Sequence, residues 1–296
     1  MPLGIDPKVD FAFKMVIGNP KHTNVTIHFL NATLQLREPI EWVEILNPIQ
    51  NKDRSEDKLS ILDVLARDRS GRHYNIEMQT TRPLDLAERL TYFNCVNYVR
   101  QIDAGSPYLD LQPAISICVL DSVMFPQVDP YHLSFRLRSD QLDLILTNDL
   151  QFHLLELPKF SPGSDTIGEL PPLERWLYFL QHAEDLEANE LSESLVEAEY
   201  REATEVLTMI SRSPDDRRFY ESRQKFLRDE QARLLQARKE GREEGREEGL
   251  VAGKIQILQQ LLGVPECSLA ELTQFGEDTL ASMLLELQQK MRSRNV

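Results

Sequence analysis

The sequence contains few cysteines, and none of them forms a recognisable pair. Its 296 residues include Cys95, Cys118 and Cys267, with no CxxC spacing among them. This scatter argues against a disulfide framework and a structural zinc site, and we expect a reducing, cytoplasmic environment. Long apolar runs are also missing, since no stretch approaches the ~18 residues of a membrane span. The opening residues MPLGIDPKVD lack a charged segment followed by an apolar one, so we expect no secretory signal.

Histidine motifs and an excess of positive charge are absent as well. The six histidines show neither HxxxH nor HExxH spacing, which argues against the common zinc-hydrolase signatures. The formal net charge is −15, which argues against a general nucleic-acid coat protein. The overall charge does not exclude a nucleic-acid substrate at a local site, but it gives such a substrate no support.

Two neighbouring segments, Ile61–Ala66 and His73–Gln79, predict a β-hairpin. The first is an apolar run interrupted only by Asp63, and the second alternates polar and apolar residues with the period of a strand. The residues between them include a glycine, which supplies the positive φ that a tight turn needs. If the turn is centred on Ser70, Asp63 and Glu77 are direct cross-strand neighbours, with Cβ atoms about 5 Å apart on one face. A register shift of one residue would place the two acids on opposite faces.

Two carboxylates at that separation favour a divalent-metal site. They repel each other, and at least one holds a proton unless a cation neutralises them. Mg²⁺ binds hard oxygen ligands of this kind, with one or two carboxylates completed by water and substrate phosphate, and Mn²⁺ is the alternative ion. The competing interpretation is a strand whose polar outer face is simply solvated. Asp63 argues against it, because its neighbours Leu62, Val64 and Leu65 are apolar and do not indicate a solvent-exposed face.

The first 160 residues predict one α/β domain with a mixed sheet. Apolar positions at helical spacing predict three helices, and the β-branched run AISICVL predicts a buried strand. The order of helix, strand, hairpin, helix and buried strand is typical of such a domain. The predicted helices are Val9–Ile17, Asn24–Leu36 and Leu84–Ile102, and the predicted strands besides the hairpin are Trp42–Leu46, Ala114–Leu120, His132–Leu137, Asp143–Leu146 and Gln151–Leu157.

The composition changes at Ser161-Pro162-Gly163, which we interpret as the edge of this domain. A helical extension is expected over 161–215, a long charged helix over 216–262 and short helices over 263–296. Glycines recur every fourth residue at 241, 245, 249 and 253, so they form one stripe on a helix. Each glycine costs about 1 kcal/mol of helix propensity. Such a stripe suggests close helix approach in a homo-oligomer, and a loosely structured charged linker is the alternative.

These elements in this order resemble the PD-(D/E)XK nuclease superfamily, and more specifically the Rpn family of recombination-promoting nucleases, also described as transposases. The resemblance covers about residues 1–250. It implies a restriction-endonuclease-like mixed sheet flanked by helices, followed by an α-helical C-terminal region. The residues that carry it are Asp6-Pro7-Lys8, Asp10, Phe13-Lys14, Ile61-Leu62-Asp63-Val64, Tyr74-Asn75-Ile76-Glu77-Met78-Gln79, Arg89, Tyr92 and the glycine–acid repeat at 241–249.

The resemblance implies Mg²⁺-dependent hydrolysis of DNA phosphodiester bonds, with a link to recombination or mobile elements. By position, Asp63 and Glu77 would hold the metal, with the backbone carbonyl of Met78 as a third ligand. Gln79 stands where the superfamily usually has lysine; it can orient a water but supplies no positive charge. This departure leaves open a catalytically weak or inactive DNA-binding or interaction protein that oligomerises through its C-terminal helices.

Two further residues are candidates for the same site. Arg89, on the helix after the hairpin, could supply the missing positive charge, and its alternative is a surface ion pair with Asp85. Asp10 could be an additional acid from the first helix, and its alternative is an acid of the first helical turn, which the helix dipole favours.

Overall fold

The computed structural model describes residues 2–47, 49, 63–81, 83–163 and 166–294. The chain divides into two compact units, Met1–Leu227 and Arg228–Val296. The predicted beginning of the hairpin at Ile61 and Leu62 lies outside the described residues. None of the described helices combines the length and the apolar character that a membrane crossing requires.

The first unit is built around a mixed sheet. The strands of the described residues are arranged in the order β1-β2-β3-β4-β6-β5. The pairs β3–β4 and β4–β6 are parallel, whereas β1–β2, β2–β3 and β5–β6 are antiparallel. This arrangement confirms the predicted α/β class with a mixed sheet. The strands are β1 Val43–Ile45, β2 Val64–Asp68, β3 His73–Gln79, β4 Ala114–Leu120, β5 His132–Arg138 and β6 Ile145–Glu156.

The hairpin of β2 and β3 has the predicted register. Val64 pairs with Ile76 and Arg67 pairs with His73, so the turn is centred on Ser70. The Asp68 carboxylate fixes this turn: it accepts hydrogen bonds from the backbone N–H groups of Ser70 and Arg72, the Arg72 guanidinium and the Tyr74 hydroxyl. The period-2 pattern and the glycine turn were therefore sufficient to set which residues face each other.

Helices cover one face of the sheet and form the main core with it. The face carries Tyr74, Ile76 and Met78 of β3 and alternate residues of β4, and these share one core cluster with Phe11 and Phe29. Trp176 packs against Phe29, and Tyr200 packs against Trp176. The helices of this first unit are α1 Asp10–Ile17, α2 Thr23–Leu34, α3 Leu86–Val99, α4 Pro172–His182, α5 Ala188–Ser194 and α6 Ala198–Arg212, and α7 Pro214–Leu262 continues from it.

Gly18, at the end of α1, allows this helix to approach the hairpin closely. A Cβ atom on Gly18 would lie 2.8 Å from Cγ2 of Val64, the first residue of β2. Its N–H also closes the helix by bonding to the carbonyl of Lys14 at 2.8 Å. The absence of a side chain at this position brings the polar residues of α1 near the end of the sheet where Asp63 lies.

The opposite face of the sheet is covered by α3. Leu86 and Leu90 of the helix pack against Cys118, Leu120 and Leu154 of the two central parallel strands. This small apolar cluster holds α3 over the end of the sheet, and Glu77 lies on the same face because it pairs with Cys118 in the parallel ladder.

The two strands predicted at Asp143–Leu146 and Gln151–Leu157 are wrong as separate elements, because a single strand, β6, covers both. Asn148 and Asp149 lie between the two predicted strands. Both are accommodated on the strand through side-chain partners: Asn148 accepts a bond from Arg136 at 3.2 Å, and Asp149 accepts one from the Tyr98 hydroxyl at 2.9 Å. The β5–β6 register shifts here, with Arg136 opposite Gln151 and Leu137 opposite Thr147, so residues 148–150 of β6 form a bulge.

The second unit is helical. It contains most of α7 together with α8 Leu269–Leu272 and α9 Glu277–Arg294, and its core consists of Ala252, Ile255, Leu272, Leu280 and Leu287. The glycine repeat lies inside the continuous helix α7, so the alternative of a loosely structured linker is wrong. Among the described residues, no atom lies within 4 Å of a Cβ built on any of the four glycines. Gly241, Gly245 and Gly249 are exposed and Gly253 is partly buried, and the role of the stripe in an oligomer stays a prediction.

Candidate metal-dependent catalytic site

Asp63 and Glu77 meet at the end of the hairpin. Asp63 immediately precedes Val64, and Glu77 immediately follows Ile76. Val64 and Ile76 are paired in the β2–β3 ladder. The register therefore places the two carboxylates opposite each other on the face covered by α3. Asn47 holds the strand at this point, because its amide donates to the Asp63 carbonyl at 2.9 Å and accepts from the Leu65 N–H at 2.8 Å.

Burial and mutual repulsion shape the electrostatics of this pair. Glu77 is 3% exposed and Asp63 is partly buried. Burial raises the pKa of Asp63 to about 6, against the lowering effect of the Arg89 and Lys14 charges. Burial, followed by the neighbouring Asp63 charge, raises the pKa of Glu77 to about 7. The environment of the two carboxyl groups favours either a shared proton or an added cation.

The two oxygens of Glu77 have different surroundings. Oε2 accepts a hydrogen bond from the Gln79 amide at 2.9 Å and lies 3.6 Å from an Arg89 guanidinium nitrogen. Oε1 is buried and has no hydrogen-bond partner within the part of the chain that the structure describes. A buried carboxylate oxygen without a donor is costly, so Oε1 is a position that a cation would satisfy.

Arg89 faces Glu77 rather than Asp85. Only the backbone N–H of Arg89 bonds to Asp85, through the helical carbonyl of that residue, whereas the guanidinium forms the ion pair with Glu77. The alternative of a surface pair with Asp85 is therefore wrong. The Nε and Nη2 donors of Arg89 are buried and have no hydrogen-bond acceptor among the described residues. They are available to an anionic ligand at the site.

Asp10 lies on α1, near enough for its charge to raise the pKa of Asp63. Its carboxylate is occupied by Arg223 of α7: the guanidinium Nε lies 3.2 Å from Oδ1, and Nη2 contacts Oδ2. Oδ1 also accepts the N–H of Phe11 at 2.7 Å, as expected of an acid in the first turn of a helix. The charge of Asp10 thus affects the pKa of Asp63, while its carboxylate oxygens are bound by Arg223 and by the N–H of Phe11.

The side chain and the backbone of Met78 lie in different surroundings. The side chain is buried in the main core on the opposite face of the sheet, so only the backbone of Met78 can contribute to the site. The described residues contain no cluster of three His, Cys, Asp or Glu side chains that could hold a metal. A metal here would therefore rest on two carboxylates, a backbone carbonyl and non-protein ligands, a donor set that suits Mg²⁺.

Two further residues lie near the pair, and neither of them was assigned a role at the site from the sequence. Lys14 is fully buried although it carries a charge, and that charge lowers the pKa of Asp63. A lysine within the otherwise apolar segment Phe11–Ile17, one turn after Asp10, was the available signal. Cys118 is the other neighbour: it pairs with Glu77 in the β3–β4 ladder, and burial raises the pKa of its thiol.

Comparison with known proteins agrees with this geometry. A family model described as PD-(D/E)XK nuclease family transposase matches residues 7–237, which is more than half of the chain. The match confirms the family resemblance, and with it the restriction-endonuclease-like fold. No curated protein and no solved structure matches the chain.

Proposed function

Since the chain belongs to the PD-(D/E)XK nuclease family transposases, we propose that it is a Mg²⁺-dependent DNA endonuclease acting in recombination or the movement of mobile elements. The observation that carries the proposal is the pair of facing carboxylates Asp63 and Glu77, with Oε1 of Glu77 buried and without a donor among the described residues. Two raised carboxyl pKa values at one point of a sheet are expected of a functional site rather than of a structural one.

Asp63, Glu77 and the Met78 carbonyl would hold Mg²⁺, and Mn²⁺ would satisfy the same oxygen ligands. When bound, the ion lowers the pKa of a water and offsets negative charge on the scissile phosphate. The protein contributes the fixed positions of the two carboxylates, which the hairpin ladder and the Asn47 bridge hold in place before any ligand arrives.

Gln79 has a positioning role in this proposal. Its amide donates to Oε2 of Glu77 at 2.9 Å, which orients the carboxylate and leaves Oε1 for the metal. The same amide group can orient a water by hydrogen bonding, but it contributes no positive charge. The reaction should therefore be slower than with lysine at this position.

Arg89 is the residue that we propose to bind the DNA phosphate. Its guanidinium faces Glu77, and its Nε and Nη2 donors are buried without acceptors in the described part of the chain. A guanidinium of this kind recognises phosphate oxygens in a planar, two-point geometry. Asp10 stays a proposed auxiliary acid, acting through its charge while Arg223 binds its oxygens.

A second function is favoured by two observations. Gln79 supplies no charge, and the chain as a whole carries a net charge of −15. A catalytically weak or inactive protein that binds DNA or another partner, with oligomerisation through its C-terminal helices, would combine these features with an intact fold.

Metal-dependent thermal stabilisation distinguishes the two functions. Mg²⁺ or Mn²⁺ that binds only the native site should raise the melting temperature, and the rise should grow with metal concentration. Asp63→Asn should abolish the rise, while a carboxylate substitution at the exposed ion pair, Glu44→Gln, should leave it unchanged. A wild-type protein that shows no rise at millimolar metal would favour the binding protein over the nuclease.

A further inference from the structure

The hairpin of β5 and β6 exposes an unusual amount of apolar surface. Six large apolar side chains, each between 41% and 80% exposed, lie within twelve consecutive residues of this hairpin. Several large apolar side chains exposed together on one hairpin favour an interaction site. The six residues are Phe135, Leu137, Leu142, Leu144, Ile145 and Leu146.

Within the described part of the chain, β5 is also the edge of the sheet, and one row of its backbone groups has no strand partner. The N–H of Glu156 in β6 donates to the carbonyl of Tyr131 at 2.7 Å, which sets the phase of the antiparallel ladder. Backbone N–H and C=O groups point to alternate sides along a strand. Those of Leu133 and Phe135 therefore point toward β6, whereas those of Ser134 and Arg136 point away from it. On that side, no strand of the described residues pairs with β5.

We propose that a second copy of this chain pairs its own β5 antiparallel to this edge, with the two-fold axis at Phe135. In this register Ser134 of each copy bonds to Arg136 of the other, and Phe135 faces its own counterpart in a pair without backbone hydrogen bonds, where side chains come closest. Leu133 lies opposite Leu137. The hydrogen-bonded core of the pairing is Ser134–Arg136, because the β5–β6 register is regular up to Arg136 and shifts after it.

The sequence of the edge fits a second copy in particular. In the proposed register the apolar residues Leu133, Phe135 and Leu137 meet only apolar partners, and Arg136 meets the uncharged Ser134, so no two like charges lie opposite each other. An unrelated strand would have to match this alternation by chance, whereas an identical strand matches it by symmetry.

The antiparallel arrangement also accounts for the apolar side chains that are exposed at the tip of the hairpin. The tip of each copy extends past the start of the other copy's β5, toward the segment 128–131, where Val128 is exposed as well. Six half-exposed side chains offer on the order of 500 Å² per copy, and the backbone of β5 and the segment 128–131 bring the area toward the roughly 800 Å² per partner of a stable interface. The interface is independent of the proposed catalytic site.

The molecular mass of the full chain in solution tests the proposal. Light scattering coupled to size-exclusion chromatography should give an assembly of at least twice the 34.2 kDa chain mass. Phe135→Asp places two like-charged carboxylates opposite each other at the two-fold axis, so it should halve that mass. Val196→Asp, at an exposed apolar residue outside the hairpin, should leave the mass unchanged. A monomeric wild type, or an unchanged mass for a folded Phe135→Asp variant, would overturn the proposal.

Cysteine cross-linking tests the register. The Cα atoms of a pair without backbone hydrogen bonds lie about 4.5 Å apart, which is within disulfide range. Phe135→Cys should therefore give a covalent dimer under mild oxidation, beyond any formed by the wild-type cysteines. Ser134→Cys, which meets Arg136 rather than itself, should not. Equal cross-linking of both variants, or none by Phe135→Cys, would contradict the two-fold axis at Phe135.

Discussion

The amide of Gln79 donates a hydrogen bond to Oε2 of Glu77 at 2.9 Å, two residues earlier on the same strand. Side chains two apart on a strand share a face, so this contact follows from the sequence spacing alone. Its consequence is an asymmetric carboxylate: one oxygen of Glu77 is bound, and the other is buried without a donor among the described residues. The residue that departs from the superfamily pattern thus still orients a proposed metal ligand.

Gln79→Lys should accelerate DNA cleavage. An ammonium group at this position would keep a donor to Glu77 and add the positive charge that glutamine lacks, lowering the barrier at the phosphate. We expect about a tenfold increase in single-turnover rate, equivalent to about 1.4 kcal/mol. Gln79→Met, which keeps the size but removes the amide, is the matched control and should be slower than wild type. A Gln79→Lys variant that is folded but slower would show that charge at this position does not limit the reaction.

Asp63→Asn should stabilise the metal-free protein at pH 8. Burial raises the pKa of Asp63 to about 6 and that of Glu77 to about 7, from ordinary values of 3.8 and 4.5. The folded state therefore binds more protons than the unfolded state between about pH 4 and pH 7, and stability falls as the pH rises through this window. Removing one carboxylate recovers on the order of 2 kcal/mol at pH 8, or a melting temperature higher by about 4–8 °C.

Calorimetric melting of the wild type and Asp63→Asn from pH 4 to pH 8 checks this expectation. The two curves should converge near pH 4, where both carboxyl groups of the wild type are protonated, and separate above it. Equal stabilities of the wild type and Asp63→Asn at pH 8 would mean that the charge of the Asp63–Glu77 pair does not destabilise the folded state.

Gly18→Ala should destabilise the first unit, because the new Cβ would lie 2.8 Å from Cγ2 of Val64. Overpacking of this kind costs about 1–3 kcal/mol. Gly245→Ala in α7 is the matched control: its Cβ meets no described atom within 4 Å, and alanine should raise helix stability by about 0.5–1 kcal/mol. Denaturant melts followed by circular dichroism measure both. A neutral Gly18→Ala would show that α1 does not approach β2 as closely as described.

Arg223→Gln should lower stability by about 1–3 kcal/mol, because it leaves the largely buried Asp10 carboxylate without its cation. The variant also loses the contact of the guanidinium with the Phe226 ring. Arg217→Gln, which breaks the exposed pair with Glu221 on the same helix, should change stability by less than about 0.5 kcal/mol. Similar melting curves for the two variants would contradict a structural role for Arg223.

The hairpin could be predicted from the sequence because its determinants are local. Alternation of polar and apolar residues along 73–79 and a glycine turn fix the register, and the register in turn places Asp63 opposite Glu77. The buried strand Ala114–Leu120 was predicted with its observed bounds, since a β-branched apolar run between turn signals leaves little choice.

Long-range contacts could not be predicted in the same way. Asp10 and Arg223 are 213 residues apart, and no periodicity connects them. The continuity of β6 was missed because the partners of the intervening residues are tertiary: Arg136 on β5 binds Asn148, and Tyr98 on α3 binds Asp149. Burial of Lys14 likewise depends on how closely α1 approaches the sheet, which the spacing of its apolar residues does not specify.

Cleavage of supercoiled plasmid by the purified full chain tests the central claim most directly. With Mg²⁺ or Mn²⁺ we expect nicked and linear products from the wild type, none after chelation with EDTA, and none from Asp63→Asn or Glu77→Gln at the same protein concentration. Glu44→Gln, at an exposed ion pair, should cleave like the wild type. Cleavage that persists in Asp63→Asn, or a wild type and a Gln79→Lys variant that are both inactive with either metal, would contradict the assignment of Asp63 and Glu77 as the centre of a nuclease.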